Sequence, residues 1–345
     1  MRHFYAIIAV MLTGSIPFTL RGQLIPLHSQ YFFNGYMINP AMAGFDGTET
    51  FNVVVRQQWV GYEGNPKTYW LGYQNRILKR RFRLKEKLFG EGKKYVPKTT
   101  GRVGGGFNLF NDTYGILRRT GGQAAYSYNI VLGLSGYHLS FGLSASLYTL
   151  RIDPEKMKII DKQDPFLNEL KNERTVVPDF AAGVTLRNNH FYAGLSAGQL
   201  TQSSFKIFNS GDYRHYKPGR TYSLLGGWHV YETADLDVMP SMLLKTTEYR
   251  YLDTATLKTG KFTLRAQIET GIRVTIRDKF WIGGAYRSNN DIVGYTGFRY
   301  NRVFISYAVD IPTSTLRYGN WCSHEVSIVY KTGTTDRRYR YRERY

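Results

Sequence analysis

The feature that most constrains this chain is a period of two in its apolar residues. Leu139, Phe141, Leu143, Ala145 and Leu147 fall on one side of a segment, and His138, Ser140, Gly142, Ser144 and Ser146 on the other. Val303, Ile305, Tyr307, Val309 and Ile311 repeat the pattern against Phe304, Ser306, Ala308 and Asp310; so do Tyr222, Leu224, Gly226, Trp228 and Val230. Side chains of a strand alternate between faces, so each segment has one apolar face and one small or polar face. Segments of about ten such residues separated by turns describe a transmembrane β-barrel. A soluble β-sandwich with exposed tyrosines would carry the same pattern. Composition is compatible with both: 28 Tyr, 20 Phe and 35 Gly occur in a chain whose mean hydropathy is only −0.37.

The first residues favour the barrel. Met1, Arg2 and His3 precede an apolar run, Phe4 to Leu12, and then Thr13, Gly14, Ser15 and Pro17. This is the layout of a secretory signal, expected over 1–22, and it is too short to span a bilayer as a helix. Cleavage after Gly22 would expose Gln23, and with no cysteine nearby a lipid-modified N-terminal cysteine is excluded. Beyond the signal no apolar stretch approaches the ~18–20 residues of a spanning helix. A mature chain in a bilayer must then be a closed barrel, since closure alone satisfies every backbone group there. Cys322 is the sole cysteine, so no internal disulfide forms.

Fourteen strands are expected, near 48–60, 67–78, 101–112, 115–130, 137–153, 179–188, 190–200, 221–233, 236–248, 262–275, 278–288, 291–300, 302–312 and 322–332. The fold class is therefore all-β: one antiparallel barrel over 48–332, after a short N-terminal periplasmic or plug-like segment, 23–47. With both termini periplasmic, outside and inside connections should alternate long and short. Outside loops at 154–178, 201–220, 249–261 and 313–321 face tight inside turns near 135–136, 188–189, 234–235, 277–278 and 301–302. The inside connection 79–100 breaks the rule and is rich in Lys79, Arg80, Arg81, Arg83, Lys85, Lys87, Lys93 and Lys94. A basic tail, 333–345, holds Arg337, Arg338, Arg340, Arg342 and Arg344. Parity places both on the periplasmic side, as a docking surface for an acidic partner or cell-wall component, or else as solvated loop and frayed end.

The formal charge is +20, or +18 once Arg2 and Arg21 leave with the signal. Export and the lack of any nucleic-acid-binding motif exclude a nucleic-acid partner and direct the charge towards lipopolysaccharide, outer-membrane lipid or an acidic protein. Alternation turns Arg265, Glu269, Arg273, Arg56, Arg287, Asp310 and Glu325 into the lumen, because an Arg on the lipid face costs roughly 2–4 kcal/mol at the midplane. Asp310 and Glu325 come from neighbouring strands near one end and would repel; Arg56, on the strand that closes against the last, is the expected bridge. Ser323, His324 and Glu325 cannot form a triad, since adjacent strand residues face opposite ways. The remaining histidines lack metal-ligand spacing, and neither a phosphate loop nor G-x-S-x-G occurs. No enzyme, cofactor or metal is expected.

Several motifs carry a resemblance to a known family. They are Gln30-Tyr31-Phe32-Phe33-Asn34, Ile38-Asn39-Pro40-Ala41-Met42-Ala43-Gly44, Arg56-Gln57-Gln58-Trp59-Val60-Gly61 and Gly64-Asn65-Pro66-Lys67-Thr68. Asn111-Asp112 with Gly115, Pro178-Asp179, Pro240-Ser241-Met242-Leu243-Leu244-Lys245 and Ser323-His324-Glu325 follow in order. With these the chain resembles the PorP/SprF family of outer-membrane components of the type IX secretion and gliding machinery of Bacteroidetes. Among its motif residues are Asn39, Pro40, Gly44, Gln58, Trp59 and Gly61. The resemblance implies a non-catalytic barrel in the cell outer membrane. It would help secrete or anchor an adhesin-like surface protein through that protein's C-terminal domain, and contact periplasmic secretion or motor components. The basic tail departs from the family pattern. Physically, Asn39-Pro40 and Ala43-Gly44 suit a compact segment entering or sealing the barrel mouth, and Trp59 and Tyr62 an aromatic belt. A passive diffusion porin or solute channel, and a soluble secreted carbohydrate- or adhesin-binding β-protein, are the competing classes.

Overall fold

The computed structural model describes residues 28–77, 102–132, 136–153, 174–202, 205–206, 215–216, 218–252, 259–288, 291–313, 319 and 322–332. The strands among them are β1 (Glu49–Gln57), β2 (Lys67–Ile77), β3 (Val103–Tyr114), β4 (Leu117–Leu132), β5 (Tyr137–Ile152), β6 (Arg174–Arg187) and β7 (Phe191–Gly198). Then come β8 (Phe205–Lys206), β9 (His215–Tyr216), β10 (Thr221–Trp228), β11 (Tyr231–Glu232), β12 (Leu236–Leu252) and β13 (Thr259–Ile276). The last four are β14 (Phe280–Arg287), β15 (Asp291–Tyr300), β16 (Val303–Pro312) and β17 (Ser323–Thr332). Fourteen of them form a closed antiparallel barrel: β1 pairs with β17 and β10 pairs with β12, so the sheet returns on itself. The short β8 and β9 pair with each other, and β11 extends the β12 edge.

All fourteen expected strands are present, with shifted ends. β12 and β13 stay paired well beyond 248 and 262, with a register irregularity between Arg250 and Leu252. Conversely β1 stops at Gln57, because Trp59 takes a positive φ of 49° and turns the chain. The expected strand 221–233 divides into β10 and β11 around His229 and Val230.

Alternation sets the two faces. Leu143, Leu147, Leu195 and Ile282 project outward, each more than half exposed, as do Val53, Val55, Leu71, Phe107, Leu109 and Ile305. Their neighbours Asn52, Val54, Arg56, Asn108, Ser144 and Ser306 point inward and are buried. An apolar exterior around a polar, filled interior is stable only where lipid replaces water outside. No helix among the described residues is long and apolar enough to cross a membrane; the strands do so.

What fills the interior is the chain's own N-terminal segment. Residues 28–47 run down the lumen as two 3-10 turns, Tyr31–Phe33 and Pro40–Met42, flanking a helical turn, Gly35–Ile38. The segment begins beside Arg56 and Glu325, at the barrel end opposite the one where β1 starts and β17 finishes. It reaches the other end at Asp46, whose carboxylate meets Lys331 at 2.5 Å, and turns back into β1. Phe33 packs on Trp281 (5.4 Å) and Tyr36 on Trp70 (5.8 Å), both inward-facing.

The lumen wall is carved for this plug. A Cβ on Gly142 would lie 2.1 Å from the Ala41 nitrogen, and one on Gly104 2.0 Å from the Ala43 carbonyl oxygen. Gly72, Gly183 and Gly194 leave similar room for Tyr36 and Asn39. Wall side chains then satisfy plug backbone: the Ser127 hydroxyl donates to Ala43 O (2.7 Å), Ser196 to Ile38 O (2.8 Å), and Gly44 N–H donates to Gln74 Oε1 (3.1 Å). Gly44 itself sits at φ +67°, with Asn75 O only 2.7 Å from where a Cβ would be, so glycine is required twice over.

Candidate functional site

The plug is tied at its first residues to a buried ionic cluster, and strand register explains how the cluster forms. Arg56 lies directly opposite Glu325 across the β1–β17 seam, and Glu269 directly opposite Arg287 on β13 and β14. Asp310 on β16 pairs with Ser323, one inward position along from the Ala308–Glu325 pair. Inward-facing residues on neighbouring strands sit close enough for charges to meet.

Arg56 joins Asp310 and Glu325, donating to Asp310 Oδ2 at 2.5 Å and Glu325 Oε2 at 3.1 Å. Arg287 donates to Glu269 Oε2 at 2.8 Å and Asp310 Oδ2 at 3.1 Å, with Asp291 at 3.8 Å. All five core members are at most 3% exposed. Two guanidiniums face three carboxylates, so acceptor capacity exceeds what the arginines supply. The plug provides the missing donors: Ser29 N–H and Gln30 N–H each donate to Glu325 at 3.0 Å. The Ser29 hydroxyl donates to Asp310 Oδ1 (2.6 Å) and accepts from Arg56 (2.7 Å). Leaving one buried carboxylate unpaired is costly, so the cluster and the plug depend on each other.

Arg273, also expected in the lumen network, lies apart from the cluster. Arg273 stacks over Phe32 of the plug at 4.8 Å and reaches Met239 sulfur at 3.6 Å. The Arg265 side chain lies outside the described residues, as do the basic stretches Lys79–Lys94 and Arg337–Arg344. His324 faces away from the lumen beside Tyr307, whereas Glu325 faces inward and the Ser323 hydroxyl accepts from Trp59 N–H. The three therefore do not converge.

Below the cluster, Asn34 and Asn52 hydrogen-bond side chain to side chain, and Asn52 accepts from Ser327 at 3.2 Å. Asn39 is a second tie. Its amide nitrogen lies 3.1 Å from Val184 O, Thr185 Oγ1 and Leu195 O, while its oxygen accepts from Ala41 N–H at 3.0 Å. Pro40 follows it, buried, at the start of a 3-10 turn. Gln58 and Gly61 (φ 108°) lie with Trp59 in the turn after β1, where Gln58 N–H donates to Pro66 O at 2.9 Å.

Ser29 and Gln30 escape a sequence reading based on charge, because they act through a hydroxyl, a side-chain amide and two backbone N–H groups. The legible signal is indirect: Gly72, Gly104, Gly142, Gly183 and Gly194 all fall on lumen-facing positions, which marks the wall where another backbone passes.

The family model for Type IX secretion system membrane protein PorP/SprF matches residues 20–330 of the chain. No curated protein matches the sequence. Among solved structures, the Ralstonia pickettii toluene transporter TbuX is 10% identical with a TM-score of 0.45, over 86% of this chain and 92% of that one. A Pseudomonas aeruginosa FadL homologue is 10% identical with a TM-score of 0.43, over 90% and 95%. The P. putida toluene transporter TodX is 9% identical with a TM-score of 0.44, over 85% and 92%.

Proposed function

The chain belongs to the PorP/SprF family of type IX secretion system membrane proteins, and on that premise we propose that it is a plugged, non-enzymatic barrel that holds a secreted surface protein at the outer membrane. The supporting observation is the plug: residues 28–47 occupy the lumen and bond to its wall along their whole length. A diffusion pore needs a continuous aqueous path, and a lumen cross-linked by mixed charges does not resemble the single-sign ring of a selective channel. A rigid, filled cylinder instead offers a fixed end to grip a partner.

In this reading the end where β1 starts and β17 finishes faces the periplasm. The basic stretches Lys79–Lys94 and Arg337–Arg344 then meet acidic periplasmic machinery or a cell-wall-binding protein. The opposite end, with the connections 153–173, 199–220 and 313–322, faces the cell exterior and receives the C-terminal domain of the client. Lipid and lipopolysaccharide surround the apolar belt.

Two measurements test the proposal together. Purified protein in planar bilayers should remain silent, and deletion of the gene should strip an adhesin-like protein from the cell surface. Steady open conductance with surface proteins unchanged would refute it in favour of a solute porin.

A further inference from the structure

Above the plug, on the side of β2–β7, β10 and β12, the lumen retains a chamber enclosing about 170 Å³ of open space. That is room for on the order of ten waters, or for one side chain with its chain end. Plug residues Tyr31, Asn34, Met37 and Ile38 form its floor. Thr68, Gln199 and Thr221 line it, together with His28, at the barrel end opposite the one where β1 starts and β17 finishes.

Three of the motifs that carry the family resemblance, far apart in sequence, meet here: Asn111-Asp112, Pro178-Asp179 and Pro240–Lys245 contribute Asp112, Asp179, Leu243 and Lys245 to one wall. Two carboxylates and two cations line the chamber, but they do not all pair off. Asp112 faces Arg119 (3.9 Å), and Asp179 accepts from the Thr201 hydroxyl at 3.0 Å. Lys245 has no acceptor or ion-pair partner among the described residues, and the nearby cations Arg119 and Arg287 repel its charge. Arg119 is itself displayed: its guanidinium lies over the rings of Phe110 (4.5 Å) and Tyr148 (4.6 Å), while its Nε has no acceptor among the described residues. Asn108 Oδ1 and Asp112 Oδ1, also buried, likewise lack donors there. Orphaned polar atoms around a cavity call for a polar occupant, and an ammonium without a counter-ion calls for an anionic one.

We propose that this chamber binds a carboxylate carried on a polypeptide segment, with Lys245 as counter-ion, Arg119 as second donor and the Phe110–Tyr148 pair as apolar wall. The choice of a polypeptide rests on the surface-anchor reading above; the uncompensated cation stands without it. Asn108 and Asp112 accept from backbone N–H groups of the bound segment, so donors and acceptors both find partners.

The test is affinity selection by the detergent-purified full chain from a pool of random hexapeptides, half free acids and half C-terminal amides, read by mass spectrometry. Free acids should be enriched over neutral amides. Enrichment that follows Asp or Glu content equally in free acids and amides would identify a side-chain carboxylate as the group bound. Lys245→Met should abolish roughly ten-fold or more of that enrichment, the worth of one charge-assisted hydrogen bond, while Lys245→Arg retains most of it. Removing Lys245, which has no partner among the described residues, orphans no other group, and heat-shifted gel mobility verifies the fold of each variant. No enrichment, or equal enrichment by wild type and Lys245→Met, overturns the site. If gene deletion leaves surface proteins in place while enrichment persists, the anchor reading fails and the binding site survives.

Discussion

Removing Arg56 should reveal that the plug and barrel wall share one electrostatic unit. Arg56 supplies three charge-assisted hydrogen bonds, to Ser29 Oγ (2.7 Å), Glu325 (3.1 Å) and Asp310 (2.5 Å), and is 1% exposed. In Arg56→Ala, Asp310 keeps Arg287 and Glu325 keeps two backbone donors, but three carboxylates are left facing one cation where three faced two. Deleting one member of a buried pair costs about 3–5 kcal/mol, chiefly through the charge left uncompensated. In an Asp310→Asn/Glu325→Gln background the reasoning inverts. Arg56 then sits beside Arg287 without those carboxylates, so its removal relieves repulsion and should cost under about 1 kcal/mol or even stabilise. The assay is urea titration of the folded fraction in phospholipid vesicles, read by heat-shifted mobility. A coupling of at least ~2 kcal/mol between the backgrounds is expected. Equal losses in both would refute the electrostatic account and leave Arg56 a packing residue.

Further outcomes follow from the same geometry. Gly142→Val places side-chain atoms where the Ala41 backbone lies, so the plug must shift; about 1–3 kcal/mol of stability should be lost, and protease should cut residues 28–47 in the folded barrel. Asn39→Ala removes all three donor contacts of its amide to the wall and should cost ~1–3 kcal/mol, measured by the same urea titration, with Asn39→Asp no better because it cannot donate. Leu143→Arg, on the lipid face, should destabilise by about 2–4 kcal/mol if Leu143 lies near the midplane, whereas a spin label at that position should report hydrocarbon and not water.

Sequence alone determined the barrel and its faces. A strand's period of two is local and rigid, so the alternation of Leu139 to Leu147 assigns each side chain to lipid or lumen before any pairing is known. The same logic brings Arg56, Asp310 and Glu325 to one side, and since β1 must close against β17, it also makes Arg56 their bridge. Tertiary structure decided what the lumen holds. Residues 28–47 have neither period nor long helix, and their function is spent on contacts with strands up to almost three hundred positions away, as between Ser29 and Glu325. Shear and stagger between strands, which no single strand encodes, settle which inward residues share a level. They gather Arg287 and Glu269 with Arg56, send Arg273 to Phe32, and bring Asp112, Asp179 and Lys245 to one chamber. Periodicity is a property of neighbours along the chain, whereas level within a closed cylinder depends on how all fourteen strands are offset at once.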